Sequence, residues 1–180
     1  MQSEYEVEPK SRREIRLLTY QLRMKLHLFH EMYFPIVDLL DILEEMYDDF
    51  SYEVVEDDEL DKTIHADTDV RTGHIRIKES VYNGACDGNG RDRMTIAHEI
   101  GHYILLCVYG FKFHRKFSSE KIPAYKSPEW QAKCFAGELL MNNRLIQNLT
   151  IEEIVEKCGV SNRAAEYHYN LLHSVDKKCA

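Results

Sequence analysis

Two histidines four residues apart, His98 and His102, with a glutamate directly after the first, stand in the string Ala97-His98-Glu99-Ile100-Gly101-His102-Tyr103. On an α-helix, positions i and i+4 lie one above the other, so both imidazoles can offer a ring nitrogen to a single ion. This HExxH spacing is a zinc-hydrolase signature. Zn²⁺ takes neutral imidazole at about 2.0 to 2.1 Å, and a catalytic site keeps one position open for water. Glu99 stands next to that position as the group to accept the water's proton.

The element that must carry these residues is a long helix predicted over 92–109. Apart from His98, Glu99 and His102, its middle is apolar or small (Met94, Ile96, Ala97, Ile100, Ile104, Leu105, Leu106) and reads as buried nearly all round. A carboxylate and two imidazoles inside such a helix are costly unless they are paired or ligate a metal. Gly101 costs about 1 kcal/mol relative to alanine in a helix interior, which is explained if another backbone or a substrate approaches closely there. A second helix restarts at Ser127-Pro128, with serine as cap and proline at the first helical position, and runs through Met141. On it Glu129, Ala132, Lys133 and Ala136 share a face. The two alanines would let this helix pack tightly on the HExxH helix and bring Glu129, twenty-seven residues beyond His102, to the metal as third ligand. Glu138, on the same helix, competes for that role.

Upstream, 1–10 reads as a polar, flexible tail. Ser11 with Glu14 forms a capping-box pattern for an N-terminal helical region, 11–34, with Ile15, Leu18, Leu22 and Leu26 at helical spacing and its basic residues outside. Pro35 opens a second helix, over 36–47. Three short strands are predicted at 51–56, 63–66 and 74–78, and the last could be an edge beside the cleft where an extended peptide adds. The stretch 83–90 carries three glycines and reads as a flexible loop, a hinge or wall of the cleft. It lacks the Gly-Lys-Ser/Thr ending of a phosphate-binding loop. Between 110 and 127, Phe111, Phe113 and Phe117 interleave with Lys112, Arg115, Lys116 and Lys121, which suits a cleft-covering or peptide-binding segment or a single-strand nucleic-acid platform. Two helices follow, capped at Thr150 and Ser161 and separated at Gly159. Packing under the catalytic region is favoured over a DNA-reading role, since the second helix has one early arginine, Arg163.

Composition bounds the remaining possibilities. The chain has 180 residues, 44% hydrophobic and 30% charged, which suits one domain, or one with an appendage. A formal net charge of −8 argues against broad phosphate-backbone binding, although Arg12, Arg13 and Arg16 make a local basic patch. Five cysteines, widely spaced and without a CxxC pair, indicate neither a disulfide framework nor a cysteine zinc knuckle, and fit a reducing cytoplasm. No apolar leader and no run of 18 apolar residues is present, so neither secretion nor membrane spanning is expected.

The order Arg93-Met94-Thr95-Ile96-Ala97-His98-Glu99-Ile100-Gly101-His102-Tyr103, then Glu129-x-x-Ala132-x-x-Phe135-Ala136-x-x-Leu139-Leu140-Met141, resembles the ImmA/IrrE family of metallo-endopeptidases over roughly 35–143. Cys134 and Asn142 depart from the family's usual Asn and Pro. The resemblance implies that His98, His102 and Glu129 bind one zinc ion and that Glu99 is the general base. It also implies a protein substrate, a helix-turn-helix repressor encoded nearby on a phage or mobile element, whose cleavage or inactivation relieves repression. The expected fold is α+β, a mostly helical zincin-like peptidase with a small three-stranded sheet and an HExxH helix. The metallopeptidase core is expected over 35–145 and a C-terminal helical extension over 146–180. The oxyanion donor stays open among Tyr103, Tyr109, His114 and Tyr125. Two other functions remain: a non-proteolytic regulator that sequesters a repressor or acts like an antitoxin, and a DNA-binding regulator using the C-terminal helices.

Overall fold

A computed structural model of the chain describes residues 5–108, 114–115 and 122–174. In chain order they form β1 (Tyr5–Glu6), α1 (Arg12–Lys25), α2 (Asp38–Met46), β2 (Ser51–Val55), β3 (Ala66–Asp69), β4 (His74–Lys78), α3 (Glu79–Cys86) and α4 (Gly90–Tyr103). These are followed by β5 (His114–Arg115), α5 (Pro128–Leu140), α6 (Asn143–Ile146), α7 (Ile151–Cys158) and α8 (Asn162–Ser174). The architecture is α+β and mostly helical, with one three-stranded mixed sheet ordered β2-β4-β3. Leu39, Leu40 and Leu43 of α2, Ile75 and Ile77 of β4, Ile96 and Ile100 of α4, and Phe135 and Leu139 of α5 meet in one buried core.

Local chemistry explains most boundaries. The Ser11 N–H donates to the Glu14 carboxylate at 2.8 Å while the Ser11 hydroxyl accepts from the Glu14 N–H, closing the capping box of α1. Thr150 and Glu153 do the same for α7. The second strand falls at Ala66–Asp69 rather than 63–66, because the Asp61 carboxylate accepts from both the N–H (2.9 Å) and the hydroxyl (2.8 Å) of Thr63 and holds that residue in a turn. β4 pairs parallel with β2 and antiparallel with β3. It is therefore central, and the edge strand beside α4 is β3.

Three further expectations are corrected. Residues 83–86 are not loop but the last turn of α3, where Gly84 lies so close to the Asp92 carboxylate of α4 that a Cβ would collide with it. Glycine here permits helix packing instead of motion. The basic residues of α1 are largely not a solvated face. Arg16 Nε (2.7 Å) and Arg12 Nη1 (3.2 Å) donate to the fully buried Glu138 of α5, and Arg23, also fully buried, donates from Nε (2.9 Å) and Nη2 (2.6 Å) to the Leu139 carbonyl. Carbonyls in a last helical turn lack helical partners, and long arginine stems bury well, so these side chains dock α1 on α5. Finally, 5–10 is no free tail. Tyr5–Glu6 pairs antiparallel with His114–Arg115, Val7 is buried, and the N–H groups of Val7 and Lys10 each donate at 3.0 Å to the carbonyls of Lys126 and Tyr125.

The C-terminal helices are fastened to the back of α4. Buried Arg93 donates to the carbonyls of Gly159 (2.9 Å), Cys158 (3.4 Å) and Phe34 (2.8 Å), while its guanidinium lies over the Tyr33 ring. Among the described residues, no helix is long and apolar enough to cross a membrane.

Candidate metal centre

Asn89 caps α4, accepting from the N–H groups of Arg91 and Asp92, and the helix continues through Tyr103 before widening into a π-helical turn, Ile104–Val108. The regular helix thus ends one residue after His102, earlier than the predicted 109. His98 and His102 lie one turn apart, their rings edge to face, with their Nε2 atoms 3.1 Å from each other. Ser127 caps α5 with Pro128 at its first position, as expected, and sets Glu129 in the first turn. The approach of the two helices is what Gly101 permits: a Cβ there would stand 3.2 Å from the Ala132 carbonyl oxygen, 3.3 Å from Ala132 Cα and 3.1 Å from the Phe135 ring. Glu129 consequently reaches both imidazoles, with Oε2 3.3 Å from His98 Nε2 and Oε1 3.4 Å from His102 Nε2.

This donor set fits a metal ion. Ligands about 2.0 to 2.1 Å from a tetrahedral ion are separated from one another by about 3.3 Å, close to the separation of the two imidazole nitrogens and to the distance from each of them to its own Glu129 oxygen. Among the described residues, His98, His102 and Glu129 form a group whose ligand atoms lie within 4.8 Å of one another. The histidine side chains are 17% and 13% exposed and Glu129 49%, so the group opens to solvent on the carboxylate side. The adjoining His102 and His98 rings hold the Glu129 carboxyl far below the usual carboxylate range, keeping it anionic. Glu138, the competing ligand, is instead enclosed by Arg12 and Arg16.

Glu99, one residue after His98 on α4, is 8% exposed. Burial raises its pKa, opposed by the two neighbouring imidazoles and by a hydrogen bond from Thr68. That bond, Thr68 Oγ1 to Glu99 Oε2 at 2.8 Å, comes from the edge strand β3 and was not foreseeable from spacing. A lone threonine in an acidic segment carries no sequence signal, and only the strand's docking on α4 brings it to Glu99. Of the oxyanion candidates, Tyr103 is fully buried and donates to Asp49 at 3.0 Å, which removes it from the cleft. Tyr125 is 49% exposed on the short turn before Ser127. Tyr109, the His114 side chain, and Phe111, Phe113, Phe117, Lys112, Lys116 and Lys121 lie outside the described residues.

No curated protein and no solved structure matches the chain. The model of the IrrE N-terminal-like domain, a peptidase family, matches residues 59–170, which contain His98, Glu99, His102 and Glu129. That match spans well over half of the sequence, and the chain belongs to the IrrE N-terminal-like (M78 peptidase) family.

Proposed function

We propose that this protein is a zinc-dependent endopeptidase in which His98, His102 and Glu129 hold one ion and Glu99 is the general base. The observation that carries this reading is the convergence of two imidazoles and a carboxylate, from two helices, at mutual distances of 3.1, 3.3 and 3.4 Å. Two imidazole nitrogens and a carboxylate, each of whose oxygens faces one imidazole, are the ligand types of a catalytic zinc site with an open position. When bound, zinc supplies Lewis acidity, polarising a carbonyl and lowering the pKa of water toward about 7.

The chain's own residues account for the rest of the chemistry. Thr68 occupies Glu99 Oε2, which leaves the second carboxylate oxygen to take a proton from the attacking water and pass it to the departing amine. β3 has one edge unpaired by any described strand, so an extended substrate can add its main chain alongside α4. The likeness to ImmA/IrrE metallo-endopeptidases supports a cytoplasmic helix-turn-helix repressor as the substrate, cleaved or inactivated to relieve repression on a phage or mobile element.

The test is elemental analysis of protein purified without chelators and then offered zinc, combined with mass-spectrometric mapping of cuts in a proteome-derived peptide library. One zinc per chain is expected, with cuts that vanish in Glu99→Gln while zinc is retained. Failure of the wild type to bind zinc, or cuts that persist in Glu99→Gln, would overturn the reading.

A further inference from the structure

We infer that Arg91, with His65, forms a subsite on the same cleft that reads a carboxylate-bearing residue of the substrate about three positions from the scissile bond. This rests on the peptidase reading above.

Arg91 precedes His98 by seven residues on α4, two helical turns, and so stands on the helix face that presents the histidines. It is exposed, and its Nη2 donates to His65 Nε2 at 2.9 Å, an imidazole that can only accept from a guanidinium. His65 extends β3 by one residue, since its carbonyl accepts from the Lys78 N–H at 3.1 Å. The strand and the helix therefore touch at two stations, Thr68 on Glu99 and His65 on Arg91. The spacings agree: eight helical residues advance about 12 Å and three extended residues about 10 Å. A peptide paired with the free edge of β3, its scissile bond at Glu99, passes Arg91 about three residues away.

Charge identifies what it meets there. Arg71 and Arg76, the other arginines of this sheet region, are paired with Asp69 (3.2 Å) and Asp67 (2.6 Å). Arg91 is met by an imidazole, and among the described residues no carboxylate forms an ion pair with it, in a chain whose net charge is −8. A planar guanidinium with donors to spare is matched by a carboxylate, which it can take in two parallel hydrogen bonds.

The experiment aligns library cuts on the scissile bond for wild type, Arg91→Gln and Arg91→Glu. Asp and Glu should be enriched about fivefold at a position two to four residues from the wild-type cut, the size expected of one exposed ion pair. The enrichment should disappear in Arg91→Gln and give way to Lys and Arg in Arg91→Glu. A second measurement is independent of turnover: fluorescence polarisation of labelled ten-residue peptide pools, identical except for fixed Glu, Gln or Lys positions, on zinc-loaded Glu99→Gln protein. The Glu pools should bind more tightly, and this preference should vanish when Arg91→Gln is added. Equal binding of the pools, or a preference that survives Arg91→Gln, overturns the subsite. An Arg91-dependent preference without any cleavage would sink the peptidase reading and leave the subsite standing; cleavage without the preference does the reverse.

Discussion

Glu129, Glu99 and Thr68 act on different atoms of one centre and should separate experimentally. Glu129→Ala removes the carboxylate that bridges both imidazoles, the third ligand of the proposed site. Zinc affinity, measured by competition with a chromophoric chelator, should fall at least about a hundredfold, beyond the range seen when only an outer partner of a ligand is lost. Glu99→Gln keeps the three proposed ligands and should retain zinc while turnover drops about 10² to 10⁴-fold, the contribution expected of a positioned general base. Thr68→Val deletes the donor to Glu99 Oε2 and should lower kcat about tenfold with zinc affinity unchanged, whereas Thr68→Ser, which keeps the hydroxyl, should recover most of it. A loss in Thr68→Ser equal to that in Thr68→Val would mean that the hydroxyl orients nothing.

At the scale of elements, the site depends on how closely α5 lies against α4 and on what holds α5 in place. Gly101→Val puts a branched side chain against the Ala132 backbone, which cannot rotate away. About 2 kcal/mol of stability should be lost, seen as a fall in Tm of several degrees in thermal unfolding, with weaker zinc binding because Glu129 moves with its helix. Glu138 works from the opposite face, gathering Arg12 and Arg16 of α1. The carboxylate is fully buried but both arginines are partly exposed, 21% and 32%, which softens the effect of breaking the pair. Glu138→Ala should therefore cost about 2 to 3 kcal/mol in denaturant unfolding, yet leave one zinc per folded chain. Loss of the metal in that variant would instead reinstate Glu138 as the ligand.

Across the whole molecule, α8 is tied to the core through a buried histidine. His168 is 3% exposed, and its Nε2 lies 2.7 Å from the Asn143 amide, oriented so that Nδ2 donates to the ring and Oδ1 accepts from Arg16. Burial pushes the His168 pKa down to about 4 from 6.5, so the folded protein holds the neutral ring. Because the folded value lies below the unfolded one, the associated stability is complete above pH 6.5 and is lost as pH falls toward 4. It amounts to about 3 kcal/mol in all, of which about 2 should be gone by pH 5. Urea unfolding at a series of pH values should show this slope in the wild type and a shallower one in His168→Gln; parallel profiles would exclude the histidine as its source.

Much of this was legible without coordinates wherever the information is local. The HExxH period, the caps at Ser11, Ser127 and Thr150, the strand at 74–78 and the α+β class follow from neighbours a few residues apart, whose geometry the backbone period dictates. Tertiary packing decided the rest. It set Glu129 beside the imidazoles while enclosing Glu138 in arginines, turned a glycine-rich stretch into the last turn of α3, made β3 the edge strand, and brought Thr68 to Glu99 and His65 to Arg91. Glu129 and Glu138 are chemically identical on one helix, and which faces the imidazoles is decided by which side of that helix α4 and α1 each bury. Contacts between residues tens of positions apart leave no periodic trace in the chain, so only the packed fold assigns them.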